Sequence, residues 1–283
     1  MDPDEFKKHA EKLIREHNTT GMPDFEGYSP QEMRFILYDT FGPESPIQFT
    51  KMAAADYGRV PMLNQVKYLL HLIRAGGEIK LTTKGYLPTK IVKEIYGQGF
   101  LKDEYIENGI AKLYKETDSM SINLTHILLK LAGLVKKRNE KLSLTKNALD
   151  ILGDDDALLR LIFLTFAQRF NWAYYDGYGE EKIGQLGYGF SLILLSKYGN
   201  EKRLDSFYAE KYFRALPVLL NLLEPTYDTL EAYAARCYSL RTFDRFLVYF
   251  GLIDICMEGD WTDRKKYIAK TALLDQFITC NPA

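Results

Sequence analysis

Cysteine is scarce in this chain: Cys237, Cys256 and Cys280 are the three present in 283 residues. Their spacing makes neither a Cys-x-x-Cys pair nor an even-numbered framework. They read as reduced, small apolar side chains, which excludes a disulfide-stapled fold. The four histidines (His9, His17, His71, His126) are scattered, and neither zinc-ligand spacing nor a metalloprotease-type pair occurs. A Gly-rich phosphate loop is absent, and no serine stands in a nucleophile-elbow context. No apolar run approaches the roughly 20 residues of a membrane span. The opening MDPDEFKKHAEKLIREHN lacks the apolar core of a signal peptide. These absences lead to the expectation of a cytoplasmic protein with no metal, no cofactor and no membrane contact, and they lean against an enzyme.

What is present is ordinary globular material. Apolar residues make up 46% and charged residues 27%, enough to bury two cores in a chain of this length. Net charge is −1, but it is unevenly placed. Residues 1–59 carry −4, residues 60–152 carry +6 and residues 153–283 carry −3. Only the middle segment suits an anionic partner, although such an excess over about ninety residues is unexceptional.

The most specific pattern is written twice. LLKLAGLVKKRNEKLSLTKNALDIL (128–152) and FLVYFGLIDICMEGDWTDRKKYIAKTALLDQF (246–277) each run from an apolar helix through a glycine, an extended run, a polar tip and a second extended run to a closing helix. Aligned on Lys141 and Lys266, Leu142 falls on Tyr267, Leu149 on Leu274 and Asp150 on Asp275, which makes the second hairpin seven residues longer. Helix, β-hairpin, helix is the back half of a winged helix. The expected fold is therefore mostly α (α+β): tandem winged-helix-like units with small β-hairpin wings and extra helices.

The linear partition predicted is an N-terminal helical segment (1–59), a winged-helix-like domain (60–152) and a helical domain ending in a second winged-helix-like hairpin and helix (153–283). Phe6, Ala10, Leu13, Ile14 and His17 share one face of a helix over 4–17. Ser29-Pro30-Gln31-Glu32 is a capping box that starts a second helix, and residues 47–60 read as irregular connection. Leu63, Val66, Leu69, Leu70 and Ile73 mark the buried stripe of a helix over 62–75. A segment at 78–82 is extended, and helices follow at 88–96 and 121–132, separated by an insertion over 97–119. Asp154-Asp155-Asp156 suits the positive end of a helix dipole. Further helices are predicted at 156–174, 184–198, 205–223, 228–236 and 239–250. Pro217 should kink or break the third of these. The last three, with the closing hairpin and helix, would make the second unit, which should lack a clear extended segment between its early helices.

Two candidate sites emerge. In the first, Lys136, Lys137, Arg138 and Lys141 form a basic wing able to displace counterions from phosphates. The helix before it would offer Asn123, Thr125, His126 and Lys130 to base edges in a major groove. Against this, polar hairpin tips are ordinary, and edge lysines also block unwanted strand pairing. In the second, FNWAYYDGYG (170–179) places Trp172, Tyr174, Tyr175 and Tyr178 in a recognition loop. The plainer account is a helix end, with Phe170 and Trp172 pinned into the interface between units and Asp176-Gly177 making a turn. The second wing mixes Glu258, Asp260 and Asp263 with Arg264, Lys265 and Lys266, a poor grip for phosphate.

GYSPQEMRFILYDTF (27–41), IKLTTKGYLPTKIV (79–92), LAGLVKKRNEKLSLTKNA (131–148) and FNWAYYDGY (170–178) resemble segments of uncharacterised bacterial proteins. Among these are relatives of plasmid ORF-3-like and SEC-C-associated proteins. That resemblance implies no reaction and no catalytic residues. The Cys-rich metal-binding tail of SEC-C proteins has no counterpart in LLDQFITCNPA, so zinc is not carried over. The leading expectation is a non-catalytic binding or scaffold protein with an unknown protein partner. The alternative is a DNA-binding transcriptional regulator or mobile-element accessory protein using the first wing.

Overall fold

The computed structural model describes residues 3–224, 228–260 and 263–282. The fold is mixed α+β and mostly helical, with small antiparallel sheets. Residues 52–171 and 246–251 form a central unit; residues 1–51, 172–245 and 252–283 form a split unit. The chain therefore divides in space differently from a linear partition at 59/60 and 152/153.

The N-terminal part of the split unit holds α1 (Pro3–Thr19), α2 (Pro30–Tyr38) and β1 (Ile47–Phe49). Ser29 caps α2 through its side chain and Glu32 bonds back to the Ser29 N–H at 2.8 Å, which completes the capping box. No residue of α1 is buried, so its apolar stripe faces outward. Residues 47–60, expected to be irregular, contain β1 and then α3 (Ala54–Tyr57). A three-residue strand whose partner lies far along the chain leaves little local signal.

In the central unit α3 is followed by α4 (Pro61–Gly76), β2 (Ile79–Lys80), α5 (Thr89–Tyr96), α6 (Glu104–Glu107) and α7 (Met120–Leu131). Then come β3 (Val135–Arg138), β4 (Lys141–Leu144), α8 (Lys146–Ile151) and α9 (Asp155–Gln168). Leu63, Val66, Leu69, Leu70 and Ile73 of α4 are fully buried, each contributing about 1.5–3 kcal/mol by leaving water. Gly77 ends α4 with φ +72, a conformation that favours glycine. The sheet order is β2-β4-β3, with Ile79 opposite Leu142 and Lys80 opposite Lys141. Asn139 and Glu140, both at positive φ, make the two-residue turn between β3 and β4. Asp154 caps α9 by accepting from the Ala157 N–H. In the first turn, Asp155 pairs with Lys67 and Asp156 with Arg160. Phe163 packs against Phe246 and Phe250 at ring-centroid distances of 4.9 and 5.0 Å.

The rest of the split unit runs α10 (Tyr188–Tyr198), β5 (Arg203–Leu204), α11 (Asp205–Ala215), a 3-10 segment (Pro217–Leu222) and α12 (Leu230–Ser239). A π-helical segment (Leu240–Leu247) leads on, its residues 246 and 247 counting to the central unit. β6 (Ile253–Glu258), β7 (Lys265–Lys270), α13 (Ala272–Phe277) and β8 (Ile278–Cys280) complete it. Pro217 ends α11 as expected. The second unit does have an extended segment, but it lies ahead of α11 and not between α11 and α12: β5 pairs with β7 in a sheet of order β5-β7-β6. Two residues carry no periodicity, so the sequence hides it. β8 closes against β1, with Ile47 opposite Cys280.

The two hairpin units thus share one connectivity and one strand order, but their register differs from the one the residues suggest. Thr145 and Thr271 are equivalent: each caps its closing helix, and their N–H groups bond the carbonyls of Leu134 and Leu252. They lie 126 residues apart. Gly133 and Gly251 lie 118 apart, so the second hairpin is eight residues longer, not seven. The buried positions agree. Ile268, not Tyr267, takes the core place of Leu142, and Leu274 is fully buried whereas Leu149 is 56% exposed. Similar letters at Asp150 and Asp275 favour an alignment one residue out of phase, and in a strand one residue is the difference between faces.

Candidate functional site

Alternation along the first hairpin separates a core face from an outer face. Ile79, Leu142 and Lys137 stand opposite one another on one face. Ile79 and Leu142 are buried, and the Lys137 ammonium lies close over Gly85. The other face aligns Lys80, Lys141 and Arg138 across all three strands, with Lys136 and Ser143 beside them. All four cations are exposed. Like charges directly opposite are destabilising, and Lys141 has a salt bridge to Glu78 at 2.6 Å. The result is a compact basic sheet face. Lys80 belongs to it, a place that its alternation with Ile79 alone could have indicated.

α7 does not join that face. Eight of its twelve residues are buried, among them Asn123, Thr125 and His126. Of the four side chains expected to meet bases, Lys130 alone is exposed. The other three have internal partners. Thr125 Oγ1 donates to the Ser121 carbonyl at 2.9 Å and accepts from Gln65 at 2.8 Å. Asn123 donates to Glu116, and His126 Nδ1 lies 3.0 Å from a Glu116 oxygen. Glu116 is fully buried and also accepts the Leu87 N–H. A residue of the 97–119 insertion therefore ties α7 to the loop before α5. Among the described residues, Asn123 Oδ1 and His126 Nε2 have no hydrogen-bond partner. The physical reason for the mismatch is coverage: a simple winged helix leaves its third helix outside, but here the insertion and α9 pack on it. No spacing rule points to Glu116.

In the aromatic segment Phe170 and Trp172 are both buried. Trp172 is 2% exposed, and Tyr174 is the one of its four proposed aromatic contacts classed as exposed. Tyr175 and Tyr178 are half-buried. Asp176 holds the loop through a bidentate bridge to Arg241, with Nε–Oδ2 at 2.7 Å and Nη2–Oδ1 at 3.0 Å. Both side chains are buried. Arg241 also donates to the carbonyls of Glu180 and Ile183, and Arg245 donates to that of Tyr175. Burying a guanidinium is tolerable only with this degree of pairing. The Asp176–Arg241 bridge spans 65 residues, which hides it from local reading.

Under the second hairpin a cleft of about 570 Å³ is lined by Asp205, Ser239, Asp244 and Lys266, with Arg236 and Arg264 also on its wall. Lys266 donates to Asp244 and to Ser239, and Ser239 donates to Asp205 at 2.6 Å. Burial pushes the Asp244 carboxyl up and Asp205 adds to this, against the pull of Lys266. The ammonium holds Asp244 directly and Asp205 through Ser239, so the network is a clamp between hairpin and helices. The three cysteines are free; Cys237 is buried, which pushes its thiol up to about 12.

Among the described residues no cluster of His, Cys, Asp or Glu could hold a metal ion, and no helix is long and apolar enough to cross a membrane. No curated protein and no solved structure matches the chain. Residues 58–158, which contain the basic hairpin, the buried α7 and the insertion, match the family described as the Y4jL N-terminal domain.

Proposed function

We propose that this is a non-catalytic binding protein in which two winged-helix-like units present their hairpins to a partner. That partner is another protein with an acidic surface. The observation that carries the reading is the burial of α7 beside an exposed basic sheet. Sequence readout of a duplex needs side chains that reach base edges, and Asn123, Thr125 and His126 are spent inside the unit. The Lys80, Lys136, Arg138 and Lys141 face still offers charge, and a protein surface accepts charge without base contacts. The second hairpin, with Glu258 and Asp260 beside Lys265 and Lys266, fits a mixed protein surface better than a phosphate backbone.

The second reading is a DNA-binding regulator or mobile-element accessory protein that grips phosphates through the same face. Its support is the basic row itself. Affinity capture from native cells with the wild type and with Lys136→Glu/Arg138→Glu/Lys141→Glu tests the first reading. A protein held by the wild type and lost with the variant is expected, and its loss should be accompanied by no change in fold. Capture of nuclease-sensitive material alone would replace this reading with the second.

A further inference from the structure

Strand β3 is the open edge of the first hairpin sheet. In the order β2-β4-β3 it bonds to β4 along one side, and no described strand pairs with the other. The two-residue turn at Asn139 and Glu140 makes Arg138 and Lys141 a hydrogen-bonded pair. Alternate residues therefore bond inward: Arg138, Lys136 and then Leu134, whose carbonyl accepts the Thr145 N–H. The N–H and C=O groups of Lys137 and Val135 turn outward. Val135 is 5% exposed and marks the closed end of this edge, whereas Lys136, Lys137 and Arg138 are all exposed.

Such an edge is a template for a further strand, and its charge decides which. Lys136 and Arg138 stand on the outer face two residues apart, about 7 Å along the strand. Lys141 is held by Glu78, but neither Lys136 nor Arg138 has an acidic partner among the described residues. A second copy pairing edge to edge would set these cations against their own kind. An extended segment with acids at alternate positions sets a carboxylate opposite each.

We propose that β3 takes an acidic, extended segment of the partner as a fourth strand, antiparallel to it. The segment exchanges backbone hydrogen bonds with Lys137 and aligns its acids with Lys136 and Arg138. This rests on the reading of an acidic protein partner and adds the mode by which that partner is held. In this geometry the acidic residues point their N–H groups away from the edge, and the residue between them points its N–H at the Lys137 carbonyl.

Fluorescence anisotropy on the full chain at about 50 mM salt compares three labelled, capped peptides of alternating glutamate and valine. One is unmodified, one is N-methylated at its glutamates and one at its valines, and all carry the same charge. The first two are expected to bind comparably and to slow exchange of the Lys137 amide proton. The valine-methylated peptide should bind at least about fivefold more weakly, the worth of one hydrogen bond. Equal affinity of all three would overturn the proposal and leave an acidic partner gripped by charge alone. Binding of none would also overturn it; whether the partner is an acidic protein is decided separately, by the capture experiment with Lys136→Glu/Arg138→Glu/Lys141→Glu.

Discussion

Glu26 provides a measurable test of how the split unit is held. It sits at φ +60, where a side chain costs roughly 1–2 kcal/mol, so something must compensate. Its carboxylate is 8% exposed and bonded to Lys197, Lys211 and the Tyr198 hydroxyl. Burial works against its charge, and the three hydrogen bonds overcome this, bringing it from 4.5 down to about 2. At about 1.36 kcal/mol per pH unit, that drop corresponds to about 3 kcal/mol. Lys197 is half exposed, so screening reduces the figure, and about 2 kcal/mol is expected for Glu26→Gln at pH 7. Because the folded value is depressed, the stabilisation is complete above the unfolded value near 4.5 and is lost as pH falls toward about 2. Urea unfolding followed by tryptophan fluorescence, with Trp172 buried in the same unit, is the assay. The gap between wild type and variant should be full at pH 7 and roughly halved near pH 3. A gap that stays constant over that range would refute the ionic account.

The shifted register gives a paired prediction. Leu149→Ala should be nearly neutral, whereas Leu274→Ala should cost about 2–5 kcal/mol; equal effects in chemical denaturation would restore the letter-by-letter alignment. Asp176→Ala leaves the buried Arg241 guanidinium without its carboxylate and should cost about 3–5 kcal/mol, while Asp176→Leu combined with Arg241→Met should cost far less. Equal losses in the single and double variants would mean that the bridge itself, and not the stranded charge, sets the stability.

Much of this fold is written locally. The α4 stripe, the capping box at Ser29, the Gly77 stop and both hairpins follow from period, cap and turn chemistry, because each depends on residues within a turn or two. What the sequence hides is long-range. β1 finds β8 more than 200 residues away, β5 is two residues long, and the Asp176–Arg241 bridge joins a loop to a distant helical segment. The candidate site divides the same way. Exposure of Lys136, Arg138 and Lys141 follows from their place at a hairpin, but the fate of Asn123, Thr125 and His126 depends on Glu116, whose insertion covers α7. A polar residue on a helix reads as exposed until a buried partner for it is known.

The central claim is that the basic face meets a protein while the helix that would read bases is closed off. Fluorescence anisotropy with random-sequence duplex DNA at about 50 and 200 mM salt tests it most directly, since phosphate contacts must weaken steeply with salt. The account predicts no micromolar binding at the lower salt. Micromolar binding that collapses at the higher salt, and that disappears with Lys136→Glu/Lys137→Glu/Arg138→Glu, would contradict it.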